Sequence, residues 1–290
     1  MNDSLDLGLK EKVAIIAGAG AKGDGIGNGR AAAILLAEAG AKVVVADKDQ
    51  ELADRTVQMI SERKGNAVSV AADLTKANDC EKVVEYALKH YGRLDVLDNN
   101  IGIASNLSVV EESEEYWERV MEINLKPMFL MSKYAIPAMI SSGDGGSIVN
   151  ISSISATRPK GLTAYSTSKG AVLSLTQAMA VDHGGEGIRV NCILPGPVYT
   201  PMVYASSSYL NQEGMSSEQR SQRQNASLLQ IEGEGWDIGK AVVYLSSNWA
   251  RYITGHLMVV DGGCSLSARA RGGTIVKGII DGKATLFRHR

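Results

Sequence analysis

The chain has 290 residues and a mass of 30.8 kDa, enough to bury one large core or two small ones. Thirty basic residues against 32 acidic ones give a net charge of −2, so no positive excess favours nucleic acid as a partner. No apolar run approaches the roughly 18 residues of a membrane span, and the polar N-terminal segment does not resemble a signal peptide.

Short apolar runs rich in β-branched residues alternate with longer segments of helical periodicity. The predicted strands are residues 12–17, 41–46, 67–71, 94–99, 147–151, 188–193 and 257–260. The predicted helices are residues 29–39, 50–64, 77–91, 114–140, 163–183 and 236–247. Most of the strands are apolar on both faces, as in parallel sheets covered by helices on both sides. The order predicts one α/β domain over residues 1–266, a doubly wound Rossmann-type sheet of about seven parallel strands.

Two stretches fall outside this alternation. Residues 198–235 are long, polar and weakly patterned, which favours a substrate loop or a helical lid. Residues 267–290 form a tail with six Lys and Arg and one Asp. In this tail an Asp-Gly pair separates two β-prone runs, 274–280 and 283–287, and this pattern favours a β-hairpin. An isolated hairpin is only marginally stable, so we expect it to pack on a neighbouring subunit; a disordered basic end is the alternative.

A glycine-rich segment, residues 18–29, follows the first predicted strand. Its first three glycines satisfy G-x-G-x-x-G, the spacing of loops that bind dinucleotides. A helix that began there would hold four glycines in its interior, each costing about 1 kcal/mol relative to alanine. We therefore predict that the helix begins near Gly27 or Asn28, with its N-terminus facing a pyrophosphate.

Asp47 ends the second predicted strand, 20 residues after Gly27. The acid that binds the ribose of a dinucleotide lies at about this distance from the glycine loop. A carboxylate accepts a hydrogen bond from the 2′-hydroxyl of NAD and repels the 2′-phosphate of NADP, so NAD is the expected cofactor. Lys48 weakens this preference, because a cation there tolerates a phosphate. A glycine-rich turn followed by a capping aspartate is the alternative interpretation.

Tyr165 and Lys169 lie four residues apart at the start of a predicted helix, and therefore on one face of it. A cation beside a phenol favours the phenolate and lowers the pKa of the hydroxyl. Tyr165 is then suited to act as a general base for an alcohol, or as a general acid for a ketone. Ser152 and Ser153 end the preceding strand, where a hydroxyl could bond the substrate oxygen.

Together these motifs resemble those of the short-chain dehydrogenase/reductase superfamily, in its compact single-domain form. The resemblance extends from about residue 9 to residue 265 and follows the family's order. Its motifs are Gly25-Ile26-Gly27, Ala72-Asp73-Leu74, Asn99-Asn100-Ile101-Gly102, Asn124, Asn150-Ile151-Ser152-Ser153, Tyr165-x-x-x-Lys169, Pro195-Gly196-Pro197-Val198-x-Thr200 and Val260-Asp261-Gly262-Gly263. The resemblance implies a nicotinamide-dependent oxidoreductase that forms a homotetramer.

The resemblance also implies a role for individual residues. Tyr165 would transfer the proton, Lys169 would hold the ribose hydroxyls, and Asn124 would anchor a water that leads protons to solvent. Spacing to Tyr165 favours Ser152 as the fourth catalytic residue, whereas motif alignment and the strand pleat favour Ser153, which we prefer. The expected cofactor-binding residues are Gly18, Gly25, Ile26, Gly27, Asp47, Asp73, Leu74, Asn99, Gly102, Tyr165, Lys169, Pro195, Gly196, Val198 and Thr200.

Three hypotheses of function follow. The first is an NAD-dependent oxidoreductase that acts on a secondary alcohol or its ketone, with cyclic or aromatic compounds as candidates. The second is a ketoacyl-thioester reductase that uses NADPH, against which Asp47 argues. The third is a sensor that binds NAD without turnover, against which the complete set of Asn124, Tyr165 and Lys169 argues.

Metal and disulfide chemistry are not expected. The four histidines are scattered, with no second ligand at metal-binding spacing, so we predict no metal site. The three cysteines are far apart, which argues against a disulfide framework and favours a reducing, cytoplasmic location.

Overall fold

The structure is a computed structural model that describes residues 6–159, 161–204, 215–267, 275–280 and 283–287. Its strands are β1 Val13–Ala17, β2 Lys42–Asp47, β3 Asn66–Ala71, β4 Val96–Asn99, β5 Gly146–Ile151, β6 Ile188–Pro195, β7 Val198–Tyr199, β8 Gly233–Glu234, β9 Leu257–Val260, β10 Ile275–Ile280 and β11 Lys283–Phe287. Its helices are α1 Asn28–Glu38, α2 Gln50–Glu62, α3 Ala77–Tyr91, α4 Glu114–Asn124, α5 Lys126–Ser142, α6 Thr163–His183, α7 Pro201–Tyr204, α8 Ser217–Ala226 and α9 Gly235–Ser246.

Seven of the strands form one parallel sheet in the order β3-β2-β1-β4-β5-β6-β9. β1 lies between β2 and β4, with Ile15 opposite Val44 on one side and opposite Leu97 on the other. The chain runs outward from β1 in both directions, so the strand order reverses between β1 and β4. In open parallel sheets, ligands bind outside the carboxyl ends of the strands at such a reversal. The predicted doubly wound sheet is confirmed.

Apolar side chains cover both faces of the sheet. Ile15 packs with the residues of α3 and α5, whereas Ile16 packs with those of α1 and α9, and neither is exposed to solvent. On the face covered by α1 and α9, glycine lets the two helices approach each other closely. A Cβ at Gly239 of α9 would lie 2.9 Å from the backbone of Ala31 in α1. None of the helices in the described part of the chain combines the length and hydropathy that a membrane crossing requires.

The predicted helix 114–140 is wrong, because the structure divides it into α4 and α5 at Leu125. Pro127 lacks the backbone N–H that would continue the hydrogen bonding of α4. The same proline is well tolerated in the first turn of a new helix, where it stands in α5. The apolar periodicity continues across the break and therefore does not reveal it. The break makes Asn124 the last residue of α4.

The described residues of the segment 198–235 form the short helices α7 and α8 and the short strands β7 and β8. β7 pairs in parallel with β8, which places Val198 opposite Gly233. In α8 the Ser216 hydroxyl accepts from the backbone of Gln219, whose side chain in turn accepts from the backbone N–H of Ser216. Residues 205–214 lie outside the described part of the chain.

In the tail, β10 and β11 pair in antiparallel fashion. Ile275 lies opposite Phe287, and Ile280 lies opposite Lys283. The Asp-Gly pair at 281–282 lies outside the described residues. Packing of the tail on a neighbouring subunit stays a prediction.

Candidate active site

The carboxyl ends of the central strands carry most of the predicted site residues. The glycine segment follows β1, Asp47 ends β2, Asn99 ends β4 and Pro195 ends β6. Ser153 follows β5 and begins a short 3-10 turn that contacts α6. Because the strands are parallel, these ends lie along one edge of the sheet.

The glycine segment leads directly into α1. The helix begins at Asn28 with Gly27 at the N-cap, as predicted, and no side chain caps it among the described residues. Gly18 has φ +84°, and a Cβ at Gly29 would collide with the Gly18 carbonyl. The absent side chain at Gly29 therefore lets the helix approach the strand. Sequence reasoning did not select Gly29, although its position two residues after the N-cap was a usable signal.

Gly25 and Ile26 lie farther from this strand–helix junction. A Cβ at Gly25 would lie 2.5 Å from Pro201 Cγ in α7, and the Ile26 carbonyl packs beside Gly235 at the start of α9. The glycine segment thus extends from the end of β1 to α7. A direct contact of Gly25 or Ile26 with a cofactor stays a prediction.

Asp47 is held against the glycine segment. Its Oδ2 accepts from the Gly20 N–H at 2.8 Å, and its Oδ1 accepts from the Asp49 N–H at 3.2 Å. The aspartate that caps α2 is Asp49, whose side chain accepts from the N–H groups of Glu51 and Leu52. The alternative interpretation, in which Asp47 is a capping aspartate, therefore does not apply, because Asp49 caps the helix. Asp47 stays half-buried at the end of β2.

Lys169 is almost completely buried in the first half of α6. Its Nζ lies 5.9 Å from the centre of the Tyr165 ring and donates to the carbonyls of Ile151, at 2.9 Å, and Ile101, at 3.4 Å. Burial lowers the pKa of Lys169 to about 8, which still leaves the amine mostly protonated at neutral pH. A Cβ at Gly102 would lie 3.1 Å from Nζ, so glycine provides the space for this ammonium group. The structure therefore brings Gly102 to Lys169, beside Tyr165.

Asn124 joins the same cluster from the end of α4. It is fully buried, its Oδ1 accepts from the Ile103 N–H at 2.7 Å, and its Nδ2 donates to the Ile103 carbonyl and to Ser168 Oγ, both at 3.0 Å. These bonds connect the segment after β4 to α6. The predicted water held by Asn124 stays a prediction.

The two serines after β5 have different surroundings. Ser152 is buried, and its hydroxyl donates to the Lys169 carbonyl at 2.7 Å. Ser153 is partly exposed, and its Oγ accepts from the N–H of Ser155 at 3.2 Å and from its hydroxyl at 2.8 Å. The geometry favours Ser153 as the serine that can reach a substrate.

Asp73 and Leu74, which are expected to bind the cofactor, have other contacts inside the protein. Asp73 accepts from the N–H and the hydroxyl of Thr75, and these bonds lower its pKa. Leu74 is buried in the core beside Cys80. Both stay predictions as cofactor contacts.

Residues after β6 connect the site to the lid. Gly196 packs so closely on Asp261 that a Cβ would lie 2.5 Å from the Asp261 Cβ. The Val198 carbonyl accepts from Arg223 of α8 at 2.9 Å. The Thr200 carbonyl accepts from the N–H groups of Val203 and Tyr204 in α7. Arg223 also pairs with Glu232, which fixes α8 over β7.

The crevice fits a dinucleotide. No side chain of the described residues caps the start of α1, and its backbone N–H groups are the kind of donors that bind a pyrophosphate. Two buried side-chain oxygens near it, Asn28 Oδ1 and Asn99 Oδ1, have no hydrogen-bond partner in the described part of the chain. Within the same part of the chain, no group of three His, Cys, Asp or Glu is placed to hold a metal ion.

Comparisons with known proteins agree with this geometry. A family model described as enoyl-(acyl carrier protein) reductase matches residues 20–265. The short chain dehydrogenase/reductase astE of Aspergillus oryzae is 34% identical over 89% of this chain and 96% of its own length. A cyclohexanol dehydrogenase of Acinetobacter sp. (strain SE19) is 32% identical over 88% of this chain and 95% of its own. The solved structure of a 7α-hydroxysteroid dehydrogenase with NADH and 7-oxo glycochenodeoxycholic acid has a TM-score of 0.81 and 31% identity, covering 91% of this chain and 98% of that one.

Proposed function

The chain belongs to the short-chain dehydrogenase/reductase family, and from this premise we propose that it transfers a hydride between NAD(H) and a secondary alcohol or ketone. The observation that carries the proposal is the buried Lys169 ammonium beside the Tyr165 ring, at the edge of the sheet where α1 begins uncapped. The nicotinamide cofactor, when bound, supplies the donor or acceptor of the hydride.

Side chains of the protein transfer the proton, stabilise the phenolate and position the substrate. The Tyr165 phenolate accepts the proton of an alcohol as a general base, and in the reverse direction the Tyr165 hydroxyl donates its proton to a ketone as a general acid. The charged Lys169 stabilises the phenolate form by Coulomb attraction. Ser153 donates a hydrogen bond to the substrate oxygen and holds it near Tyr165. Asn124 fixes the segment after β4 so that Gly102 stays against Lys169.

The preference for NAD rests on Asp47. Its carboxylate lies at the end of β2, beside the Gly20 N–H, where the adenosine ribose of a dinucleotide on α1 is expected. A negative charge there accepts from ribose hydroxyls and repels a 2′-phosphate. The related steroid dehydrogenase, solved with NADH, supports this assignment.

A ring-shaped substrate is the class that we propose. The relatives that support it are named for cyclohexanol and for a hydroxysteroid. Apolar residues of the lid segment, among them Val198, Val203 and Leu229, are compatible with such a ring. A homotetramer is part of the proposal: the apolar side chains of Phe129, Val181 and Val259 are exposed on three different elements, as expected of surfaces that other subunits cover.

The test is a panel of linear, cyclic and aromatic secondary alcohols, assayed with NAD and with NADP by the absorbance of the reduced cofactor. We expect turnover of ring alcohols with NAD. Ser153→Ala should lower kcat by about 10²-fold or more, the usual cost of losing a group that stabilises the reacting oxygen. Ser152→Ala is the matched control and should keep kcat within about tenfold, since its hydroxyl bonds a backbone carbonyl. Turnover with NADP alone, or equal effects of the two substitutions, would contradict the proposal.

A further inference from the structure

Arg30 is a fully buried arginine in the first turn of α1. Its guanidinium group donates to three carbonyls of the glycine segment and to one side chain of α2. The acceptors are the carbonyls of Ala21 at 2.7 Å, Gly23 at 2.7 Å and Gly25 at 2.8 Å, and Thr56 Oγ1 at 2.9 Å. A solvated arginine is the usual interpretation of such a residue at a helix start, and the structure excludes it.

No carboxylate forms an ion pair with Arg30 among the described residues. Burial lowers the pKa of Arg30, and the charge of Arg55 lowers it further, while the charges of Asp24 and Asp47 oppose these effects. Because arginine does not lose its proton in proteins, the guanidinium group nevertheless stays charged. Its main partners are the dipoles of backbone carbonyls. A buried positive charge thus lies beside the N-terminus of α1.

The three bonds to carbonyls also determine how the glycine segment presents its N–H groups. In a planar trans peptide the C=O of one residue and the N–H of the next point in opposite directions. Because the carbonyls of residues 21, 23 and 25 point at Arg30, the N–H groups of Lys22, Asp24 and Ile26 point away from it. A row of outward N–H groups near a helix N-terminus is a binding surface for anions.

The anchored segment is connected to both neighbouring elements. Thr56 Oγ1 accepts from Arg30 Nε and donates to the Ala19 carbonyl at 2.9 Å, which ties α2 to the start of the segment. At the other end, Gly25 lies against Pro201 and Tyr204 of α7. Arg30 therefore fixes the backbone of the glycine segment between the end of β1 and α7.

From these contacts we infer that Arg30 is a positioning residue for the diphosphate of the bound dinucleotide: it fixes the backbone of residues 21–25 in the binding form and adds a buried positive charge beneath it. The inference rests on the proposed function, which supplies the dinucleotide. Arg30 itself does not contact the reacting atoms.

The test measures the Kd of NADH by its fluorescence for the wild-type protein and Arg30→Lys, with the melting temperature recorded for each. Lysine keeps a charge but cannot reach three carbonyls. We expect the Kd to rise about 10- to 100-fold, the usual worth of one to two charge-assisted hydrogen bonds. The KM for NAD should rise in parallel while kcat at saturating NAD stays within about threefold.

Arg189 provides the matched control. It lies near the amino end of β6, whereas the candidate site lies at the carboxyl ends of the strands, and it also donates to backbone carbonyls, those of Leu245 at 2.8 Å and Ile253 at 3.4 Å. Arg189→Lys should lower the melting temperature without changing the Kd of NADH. Adenosine, which lacks the diphosphate, should compete equally well against wild-type protein and Arg30→Lys.

Other results overturn specific claims. A Kd of Arg30→Lys within about threefold of wild type, or an equal loss for Arg189→Lys, would refute the role of Arg30. If Arg30→Lys does not fold, Thr56→Val, which removes the acceptor of Nε together with the Thr56 bond to the Ala19 carbonyl, should raise the Kd several-fold; an unchanged Kd would refute the role equally. Wild-type protein that binds neither NADH nor NADPH would instead overturn the proposed function and this inference with it.

Discussion

Asp98 is a fully buried aspartate in the central strand β4, between Ile16 of β1 and Val149 of β5. Its Oδ2 accepts from Asn100 Nδ2 at 3.1 Å, and its Oδ1 has no partner in the described part of the chain. Burial raises the pKa of Asp98 to about 7, because the low-dielectric core disfavours the charged carboxylate. We predict that Asp98→Asn makes the protein more stable at alkaline pH.

The sign and size follow from proton linkage. The folded protein keeps the Asp98 proton up to about pH 7, whereas the unfolded chain loses it near its ordinary value of 3.8. Between these two values the folded state binds more protons, so the free energy of unfolding falls as the pH rises. Between pH 5 and the pKa of about 7, the difference in bound protons extends over about two pH units, and each unit corresponds to ~1.4 kcal/mol. The free energy of unfolding of the wild type should therefore fall by ~3 kcal/mol relative to that of Asp98→Asn between pH 5 and pH 8.

Equilibrium urea unfolding of both proteins at pH 5, 6.5 and 8 measures this difference. Asp95→Asn is the control. Burial alone would raise the pKa of Asp95, but bonds from Arg93, the Val13 N–H and Lys12 lower it overall. The stability that Asp95 contributes is present above its ordinary pKa and is lost only at lower pH, so the deficit of Asp95→Asn should be constant from pH 5 to pH 8. An equally constant difference for Asp98→Asn would refute the reasoning.

Three further predictions concern the site and the tail. Tyr165→Phe should lower kcat by about 10²–10⁴-fold and leave the Kd of NADH nearly unchanged, as single-turnover kinetics and fluorescence titration can check. Asp47→Ala should shift the ratio of kcat/KM values toward NADP, and a wild type that already prefers NADP would contradict the assignment. Deletion of residues 267–290 should reduce the oligomer mass measured by light scattering and lower the melting temperature, whereas no change in either would show that the tail does not pack on a neighbour.

The main elements of the fold could be predicted because each strand is a compact apolar run. β1, β2 and β6 are buried on both faces, and β-branched residues mark them in the sequence. β7 and β8 could not be predicted, since strands of two residues show no periodicity. The division at Leu125 was hidden because apolar residues continue across it.

The candidate site was predictable where residue types combine at a recognisable spacing, as for Tyr165 and Lys169. Arg30 and Asp98 were not, because their importance comes from burial. A charged residue in a helical or strand segment does not show in the sequence whether its charge is solvated. The distinction between Ser152 and Ser153 likewise depends on which hydroxyl finds a backbone acceptor in three dimensions.

A chain of buried polar side chains crosses the interior behind the site. Asn99 Nδ2 donates to Asn150 Oδ1, Asn150 Nδ2 donates to Thr176 Oγ1, both at 2.9 Å, and Thr176 Oγ1 donates to the Val172 carbonyl at 2.8 Å. These bonds run in one direction from β4 through β5 to α6, so the helix cannot slide along the sheet without leaving buried groups unpaired. The separation between the end of β5 and α6 is consequently set from within the core. The position of Ser153 relative to Tyr165 and Lys169 is therefore fixed by bonds inside the core, independently of the segment 198–235 that follows β6.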